Sequence, residues 1–280
     1  MLNDQRPIGV FDSGIGGLSV LKHLFRILPN ERFVYLGDTA RVPYGNKSTE
    51  TIRNYSRQCS AFLMQHDVKM IVVACNTASA LALDILQAEM PVPVLGVIEP
   101  AAMEAVTRTH NGQIGVIGTR ATIASNSYAR SIDRSAGPRS ITVHSQPCPL
   151  FVPLVEEGWL DTQATRLVAA EYLRPLIANH IDTLVLGCTH YPLLGPMLAS
   201  MLPGVALIDC GECTALTAAD MLGERQEATG RAPDVLFYLT DHTPSFPVLA
   251  RQFLGLTSVN EAVRVSIDHL AGPHGVALGA

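Results

Sequence analysis

Met70-Ile71-Val72-Val73-Ala74-Cys75-Asn76-Thr77-Ala78-Ser79 is the stretch on which the reading of this chain turns. Its first five residues are apolar and largely β-branched, the signature of a buried strand, and the run stops at a cysteine followed by small polar residues. Ala80-Leu81-Ala82-Leu83-Asp84-Ile85-Leu86 continues with a helical pattern, which puts Cys75 at a strand-to-helix turn. In open α/β sheets ligands bind outside the carboxyl ends of the strands, where a helix N-terminus offers unpaired N–H groups to an anion or a thiolate. The device recurs downstream as Thr183-Leu184-Val185-Leu186-Gly187-Cys188-Thr189-His190-Tyr191-Pro192. One chain thus carries two strand–cysteine–helix turns.

Around these turns the sequence repeats itself. Ile8-Gly9-Val10-Phe11 reads as a short strand ending in Asp12-Ser13-Gly14-Ile15-Gly16-Gly17, followed by a helical stripe at Leu18, Leu21, Leu24, Phe25 and Leu28. Ile114-Gly115-Val116-Ile117-Gly118-Thr119 repeats that opening. Ile8 to Cys75 is 67 positions (75 − 8) and Ile114 to Cys188 is 74 (188 − 114), which points to two related α/β halves with a boundary near Ile98 to Glu99. The glycines after Asp12 do not make a dinucleotide fingerprint, because the third glycine would fall on Ser19. They suit a tight turn that brings Asp12 and Ser13 to a small ligand, or simply a capped βα turn.

Further strands are expected at Phe33–Leu36, Pro91–Ile98, Ile141–His144, Val205–Asp209 and Val235–Leu239, with an edge strand around Val263 and Val265. Helices are expected from Glu99 to near Asn111-Gly112, from Thr162 to Ala178 and from Glu212 to Ala228. Between Gly37 and Ser48 lies a long stretch rich in turn residues, of the kind that often carries function. Cys59 falls on one helical face with Ile52, Tyr55, Phe62 and Leu63 and reads as packing. Glu156 and Glu157 read as a solvated helix end, of which one side chain could face a cleft. The residues after Ala271 have little to pack.

Composition bounds the function. With 280 residues, 48% hydrophobic and 16% charged, the chain can bury a substantial core and is not of the disordered class. A net charge of -5 with scattered Lys and Arg provides no basic stripe for a phosphate backbone, so nucleic acid is not an expected partner. The apolar runs are broken before they could span a bilayer, and the segment before the first strand is polar; neither a membrane partner nor an export signal is expected, and the reading is cytoplasmic. The six cysteines are then core thiols, metal ligands or nucleophiles rather than disulfides.

Two thiols facing one ligand from opposite sides suit few reactions. Removing a proton from one face of a tetrahedral carbon and returning one to the other face needs two acid/base groups in opposite protonation states, and a thiol, with a reference pKa of about 8.5 that its surroundings can lower, can serve as either. Thiolate attack on a carbonyl would need only one of them. Lys22, Lys47 and Lys69 are the only lysines, and none sits at a strand end beside a phosphate loop, so no pyridoxal site and no other cofactor is expected. Cys210-Gly211-Glu212-Cys213 has metal-type or redox-type spacing but lacks a convincing second ligand pair, so no metal is expected. His190, two residues beyond Cys188, is a candidate proton carrier or an ordinary hydrogen-bonded histidine.

Five segments together resemble the glutamate racemase branch of the cofactor-independent aspartate/glutamate racemase family: Gly9–Leu18, Gly37–Ala40 with Pro43–Gly45, Ala74–Ala78, Pro153–Glu156 and Gly187–Leu193. The resemblance implies two similar α/β domains with mainly parallel sheets related by internal pseudo-symmetry and the active site in the cleft between them. Residues 1–98 with 210–280 would form the first, and 99–209 the second. It implies interconversion of L- and D-glutamate, with glutamate as the small-molecule partner, D-glutamate supplied to peptidoglycan, and a homodimer. Cys75 would act on the D-enantiomer and Cys188 on the L-enantiomer, assisted by Asp12 and His190. Substrate contacts would fall to Asp12, Ser13, Tyr44, Gly45, Asn76, Thr77, Thr119, Thr189 and His190, with Asp38 and Glu156 in support. The cysteines at 210 and 213 depart from the pattern, since similar members tend to carry Ser and Ala there. Members with a longer N-terminal arm are activated by a peptidoglycan precursor, and no such activation is expected here. Two alternatives stay open at this point: aspartate as substrate, although that branch typically has Glu at the position of His190, and a two-lobed amino-acid binding protein, which would not need both thiols.

Overall fold

The computed structural model describes residues 4–223, 234–241, 246–255 and 261–270. Strands β1 (Ile8–Asp12), β2 (Arg32–Gly37), β3 (Met70–Val73) and β4 (Val94–Gly96) lie in one parallel sheet in the order β2-β1-β3-β4, with Val10 opposite both Tyr35 and Val72. Strands β5 (Gln113–Gly118), β6 (Thr142–Pro147), β7 (Thr183–Gly187) and β8 (Ala206–Asp209) form a second parallel sheet in the order β6-β5-β7-β8. The two orders are the same: second, first, third, fourth. In each the chain reverses its direction of travel across the sheet between the first and third strands, which opens a crevice at their carboxyl ends. Cys75 follows β3 and Cys188 follows β7, so each thiol occupies the equivalent crevice.

The central strands are buried along their whole length, as expected of parallel strands covered on both faces. The first sheet is extended from the far end of the chain: β9 (Asp234–Leu239) pairs with β2, and β10 (Val263–Arg264) closes the edge. Helices α1 (Leu18–Ile27), α2 (Thr49–Met64) and α3 (Asn76–Glu89) connect the first sheet, and α4 (Ile98–Arg108) leads to the second. There α5 (Arg120–Ala124), α6 (Ser127–Ala136), α7 (Phe151–Glu156), α8 (Gln163–Ala178) and α9 (Gly195–Met201) follow. Helix α10 (Cys210–Leu222) packs on both α1 and α4; α11 (Phe246–Leu254) lies on α1 and α12 (Ile267–Leu270) on α2. One apolar cluster runs through both sheets, from Val10 and Val72 to Val116, Leu184 and Ile208. Cys59 is fully buried in the separate cluster on the other face of the first sheet, as its helical stripe predicts.

Several boundaries differ from the sequence reading. The strand expected over Pro91–Ile98 shrinks to three residues, and α4 begins at Ile98 and stops at Arg108, where Thr109 leaves helical geometry and its hydroxyl bonds the Asp182 carboxylate at 2.6 Å. Helix α10 begins at Cys210, capped by the Asp209 carboxylate accepting from the Gly211 N–H at 2.8 Å. It ends at Leu222 because Gly223, at φ +68°, takes the left-handed conformation that terminates helices; the remainder of the helix expected up to Ala228 lies outside the described residues, as does the segment after Ala271. The stretch from Gly37 to Ser48 contains two 3-10 turns, Thr39–Arg41 and Tyr44–Asn46. Among the described residues no helix is long and apolar enough to cross a membrane.

Candidate active site

Both thiols line one cavity of about 350 Å³ between the two sheets. On the β3 side, Cys75 caps α3: its Sγ accepts from the Ala78 N–H at 3.5 Å and donates to the Ser13 hydroxyl at 3.5 Å. Asp12, at the end of β1, is completely buried; its Oδ2 accepts from the Gly14 N–H at 2.9 Å while Oδ1 has no partner among the described residues. Burial holds the Asp12 carboxyl above its ordinary pKa. Burial and then the neighbouring Asp12 push the Cys75 thiol up to about 12.

The β7 side is built from different chemistry. Cys188 Sγ lies 3.9 Å from His190 Nδ1, and His190 Nε2 lies 3.0 Å from Glu156 Oε1 at the end of α7. Burial works against a charged imidazole, but the hydrogen bonds to Cys188 and Glu156 outweigh it and raise the His190 pKa to about 10. The ring is braced edge-on by Phe253 of α11, with centroids 5.5 Å apart. Against its other side passes the backbone at Gly16: a Cβ there would fall 2.6 Å from His190 Nδ1 and collide with Thr189 Oγ1 as well. Of the glycines after Asp12, Gly16 therefore serves close approach of the two halves, which Ser19 reinforces by donating to the Thr189 carbonyl at 2.7 Å, whereas a Cβ on Gly17 would meet Asp12 and Ala74 of its own half.

Between the thiols, Ser13, Asn76, Thr77 and Thr189 form the walls with Tyr44, Gly45 and Thr119. Thr77 and Thr119, from opposite halves, approach to 3.0 Å through their hydroxyls, and a Cβ on Gly45 would come within 2.9 Å of Thr119 Cβ. Asp12 and Asp38 are not part of the lining. Asp38 lies behind Tyr44: it takes two bonds from Arg41 Nε, at 2.9 and 2.7 Å, one from the Thr240 hydroxyl at 3.0 Å, and a short one from the Tyr44 hydroxyl. Of the paired acids, Glu156 reaches the cavity and Glu157 does not.

The sequence reading left out Arg120, which with Glu156 and His190 makes up the charged lining, and it left out the apolar wall at Pro149 and Val152. Arg120 follows Thr119 directly at a helix start, the one local hint of its position. Phe253 carried no hint, being 63 positions (253 − 190) from the ring it braces. Among the described residues no three His, Cys, Asp or Glu side chains converge as metal ligands. Cys210 sits at the start of α10 with its thiol on the Leu186 carbonyl at 3.2 Å.

Comparisons with known proteins agree with this geometry. The family model described as Asp/Glu/Hydantoin racemase matches residues 8–218. Glutamate racemase of Syntrophus aciditrophicus is 51% identical over 256 residues, covering 90% of this chain and 94% of that protein. Among solved structures, glutamate racemase from Francisella tularensis in complex with D-glutamate superposes with a TM-score of 0.85 at 40% identity, covering 95% of this chain and 99% of that one. Glutamate racemase from Thermus thermophilus in complex with β-chloro-D-alanine gives 0.82 at 44% identity, covering 95% and 98%. Picrophilus torridus aspartate racemase, at 18% identity and a TM-score of 0.56, shares the fold. On the match over residues 8–218 and relatives at about half identity, the chain belongs to the Asp/Glu/hydantoin racemase family.

Proposed function

We propose that this chain interconverts L- and D-glutamate by moving a proton off one face of the α-carbon and returning one to the other, with Cys75 and Cys188 as the two acid/base groups and no cofactor. The observation that carries the reading is the pair of thiols lining one cavity from equivalent turns of two duplicated sheets. The names of the relatives support glutamate as the substrate. The segments matching that branch of the family support the finer assignments, including supply of D-glutamate to peptidoglycan in the cytoplasm.

In the L-to-D direction the Cys188 thiolate takes the α-proton and becomes a thiol, the electron pair remains on the α-carbon, and the Cys75 thiol gives its proton to the opposite face. The enzyme is left with Cys75 as thiolate and Cys188 as thiol, the starting state for D-glutamate. His190, holding its proton up to about pH 10, is a donor beside Cys188. On the other side Asp12 stands behind the lining beside Cys75, and the positive charge of a substrate ammonium in the cavity would offset both that carboxyl and the burial that keeps Cys75 protonated. Hydroxyls of Ser13, Thr77, Thr119 and Thr189, with N–H groups at the helix starts, suit the two carboxylates, aided by the positive charge of Arg120.

Proton NMR of L-glutamate in D2O, with purified protein and nothing added, tests this directly while circular dichroism follows the enantiomer balance. Both the α-proton signal and the optical signal should decay. Persistence of both, with reduced and folded protein, would overturn the reading, and aspartate would be the next substrate tried.

A further inference from the structure

Asn76 lines the cleft, yet its side chain is oriented from outside it. Its Oδ1 accepts from the Tyr128 hydroxyl at 2.6 Å, and Tyr128 Oη is in turn 2.9 Å from Cys210 Sγ. Tyr128 comes from α6 of the second half and Cys210 from the first turn of α10, so three elements meet at this point. All three side chains are at least nine-tenths buried. Nδ2 of Asn76, by contrast, is buried with no partner among the described residues.

Counting protons fixes the direction of the chain. An amide oxygen can only accept, so the single proton of Tyr128 is committed to Asn76. Tyr128 Oη can then only accept from the Cys210 thiol, which must therefore carry its proton and shares it between Tyr128 Oη at 2.9 Å and the Leu186 carbonyl at 3.2 Å. Burial holds that thiol well above its ordinary pKa, in agreement with this requirement. A chain of donors running one way, Cys210 to Tyr128 to Asn76, polarises each member in the same sense. It leaves the Asn76 NH2 as the unused donor of a cleft residue. Leaving a buried donor unmade is costly, and a ligand acceptor relieves that cost on binding.

We propose that Tyr128 and Cys210 are positioning residues that together fix the side-chain amide of Asn76 with its NH2 group offered to a substrate carboxylate. The inference rests on the glutamate reading above and assigns a purpose to Cys210, one of the two cysteines at which the sequence departs from its family. A serine at 210 retains a hydroxyl that can make the same donation, whereas an alanine breaks the chain at its first link.

Steady-state racemisation of L- and D-glutamate by the full-length protein tests it with Tyr128→Phe, Cys210→Ala, Cys210→Ser, Asn76→Ala and the Asn76→Ala/Tyr128→Phe double variant. Loss of a positioned hydrogen bond made equally to ground and transition state raises KM and spares kcat. Tyr128→Phe should raise KM about tenfold, and Cys210→Ala about three- to tenfold, with kcat changed less than about threefold. Cys210→Ser should recover most of the loss. In the Asn76→Ala background Tyr128→Phe should add less than about twofold, because its effect passes through the missing amide. A structural role would instead carry over unchanged into that background and leave Cys210→Ser as impaired as Cys210→Ala; either result overturns the inference. If Tyr128→Phe does not fold, the two Cys210 variants decide it. Wild-type protein that exchanges no α-proton of glutamate would defeat the functional reading and this inference with it. Wild-type turnover with Tyr128→Phe and Cys210→Ala kinetically unchanged defeats the inference alone.

Discussion

The two cysteine turns occupy equivalent places in sheets of the same strand order, and their surroundings are opposite in kind. Cys75 has a serine hydroxyl and a fully buried carboxyl for neighbours and opens a helix of 14 residues. Cys188 has an imidazole, a glutamate behind it, and a four-residue 3-10 turn where its counterpart has a long helix. Duplication of the backbone thus fixes where the thiols stand, and the side chains around them determine their electrostatics. A reaction that inverts a carbon needs both properties, because its two partners must be alike in reach and unlike in protonation at any one moment.

The largest expected effect comes from removing either thiol. Cys75→Ser and Cys188→Ser should each lower racemisation at least 10³-fold while glutamate affinity, measured by calorimetry, stays within a few-fold. Substantial turnover in both variants would break the comparison outright.

Next come the unlike neighbours. His190→Asn and Asp12→Asn should each cost about 10²- to 10³-fold in kcat, and the ratio of forward to reverse rates in single-turnover experiments should move in opposite directions for the two. Equal effects on both directions would mean that the asymmetry has no kinetic expression.

The same histidine makes a statement about stability. Its folded pKa of about 10 lies above the ordinary 6.5, so the folded state binds the proton more tightly. The contribution is complete below about pH 6.5 and is lost as pH rises to about 10. Thermal midpoints of wild type and His190→Asn should therefore differ most near pH 6 and converge toward pH 10. A gap that widens with pH would contradict the charged His190–Glu156 contact.

Gly16→Ala sharpens the comparison from the backbone side, because the atoms its methyl group would meet first belong to Thr189 and His190, on the Cys188 side. A loss of about 10²-fold in kcat/KM is expected, with only a modest fall in melting temperature. The smallest effect is assigned to Thr240→Val, which removes one of the bonds that hold Asp38 behind Tyr44. It should raise KM a few-fold and leave both thiols as they were, a change of about 1 kcal/mol in binding.

What the sequence made legible follows from the range of the interactions. Strands such as Met70–Val73 and Thr183–Gly187 are covered on both faces, so each announces itself as a continuous apolar run, and the cysteine that ends it is visible at once. Asn76 and Thr189 share those turns and were legible for the same reason, as was Ser13 directly after the buried strand β1. The contact between His190 and Glu156 joins positions 34 apart through tertiary packing, and no local pattern encodes it. Tyr128 drew no reading from the sequence; only its neighbours, one of them 82 positions away, give it a role. Helix ends slipped where a side chain from elsewhere supplied the cap, as Asp182 does beyond α4.

The pairing of β9 with β2 has a consequence in time. The second sheet is assembled from one uninterrupted length of chain, residues 113–209, whereas the first waits for a strand that lies beyond it. Thr240 meets Asp38 across 202 positions, a delay of roughly 10–40 s at the 5–20 residues per second of protein synthesis. A nascent chain on the ribosome therefore holds the Cys188 turn in a finished sheet while the wall around Tyr44 still lacks its last support. The enzyme becomes competent late, when β9 and β10 return to the edge of a sheet whose other four strands were made long before.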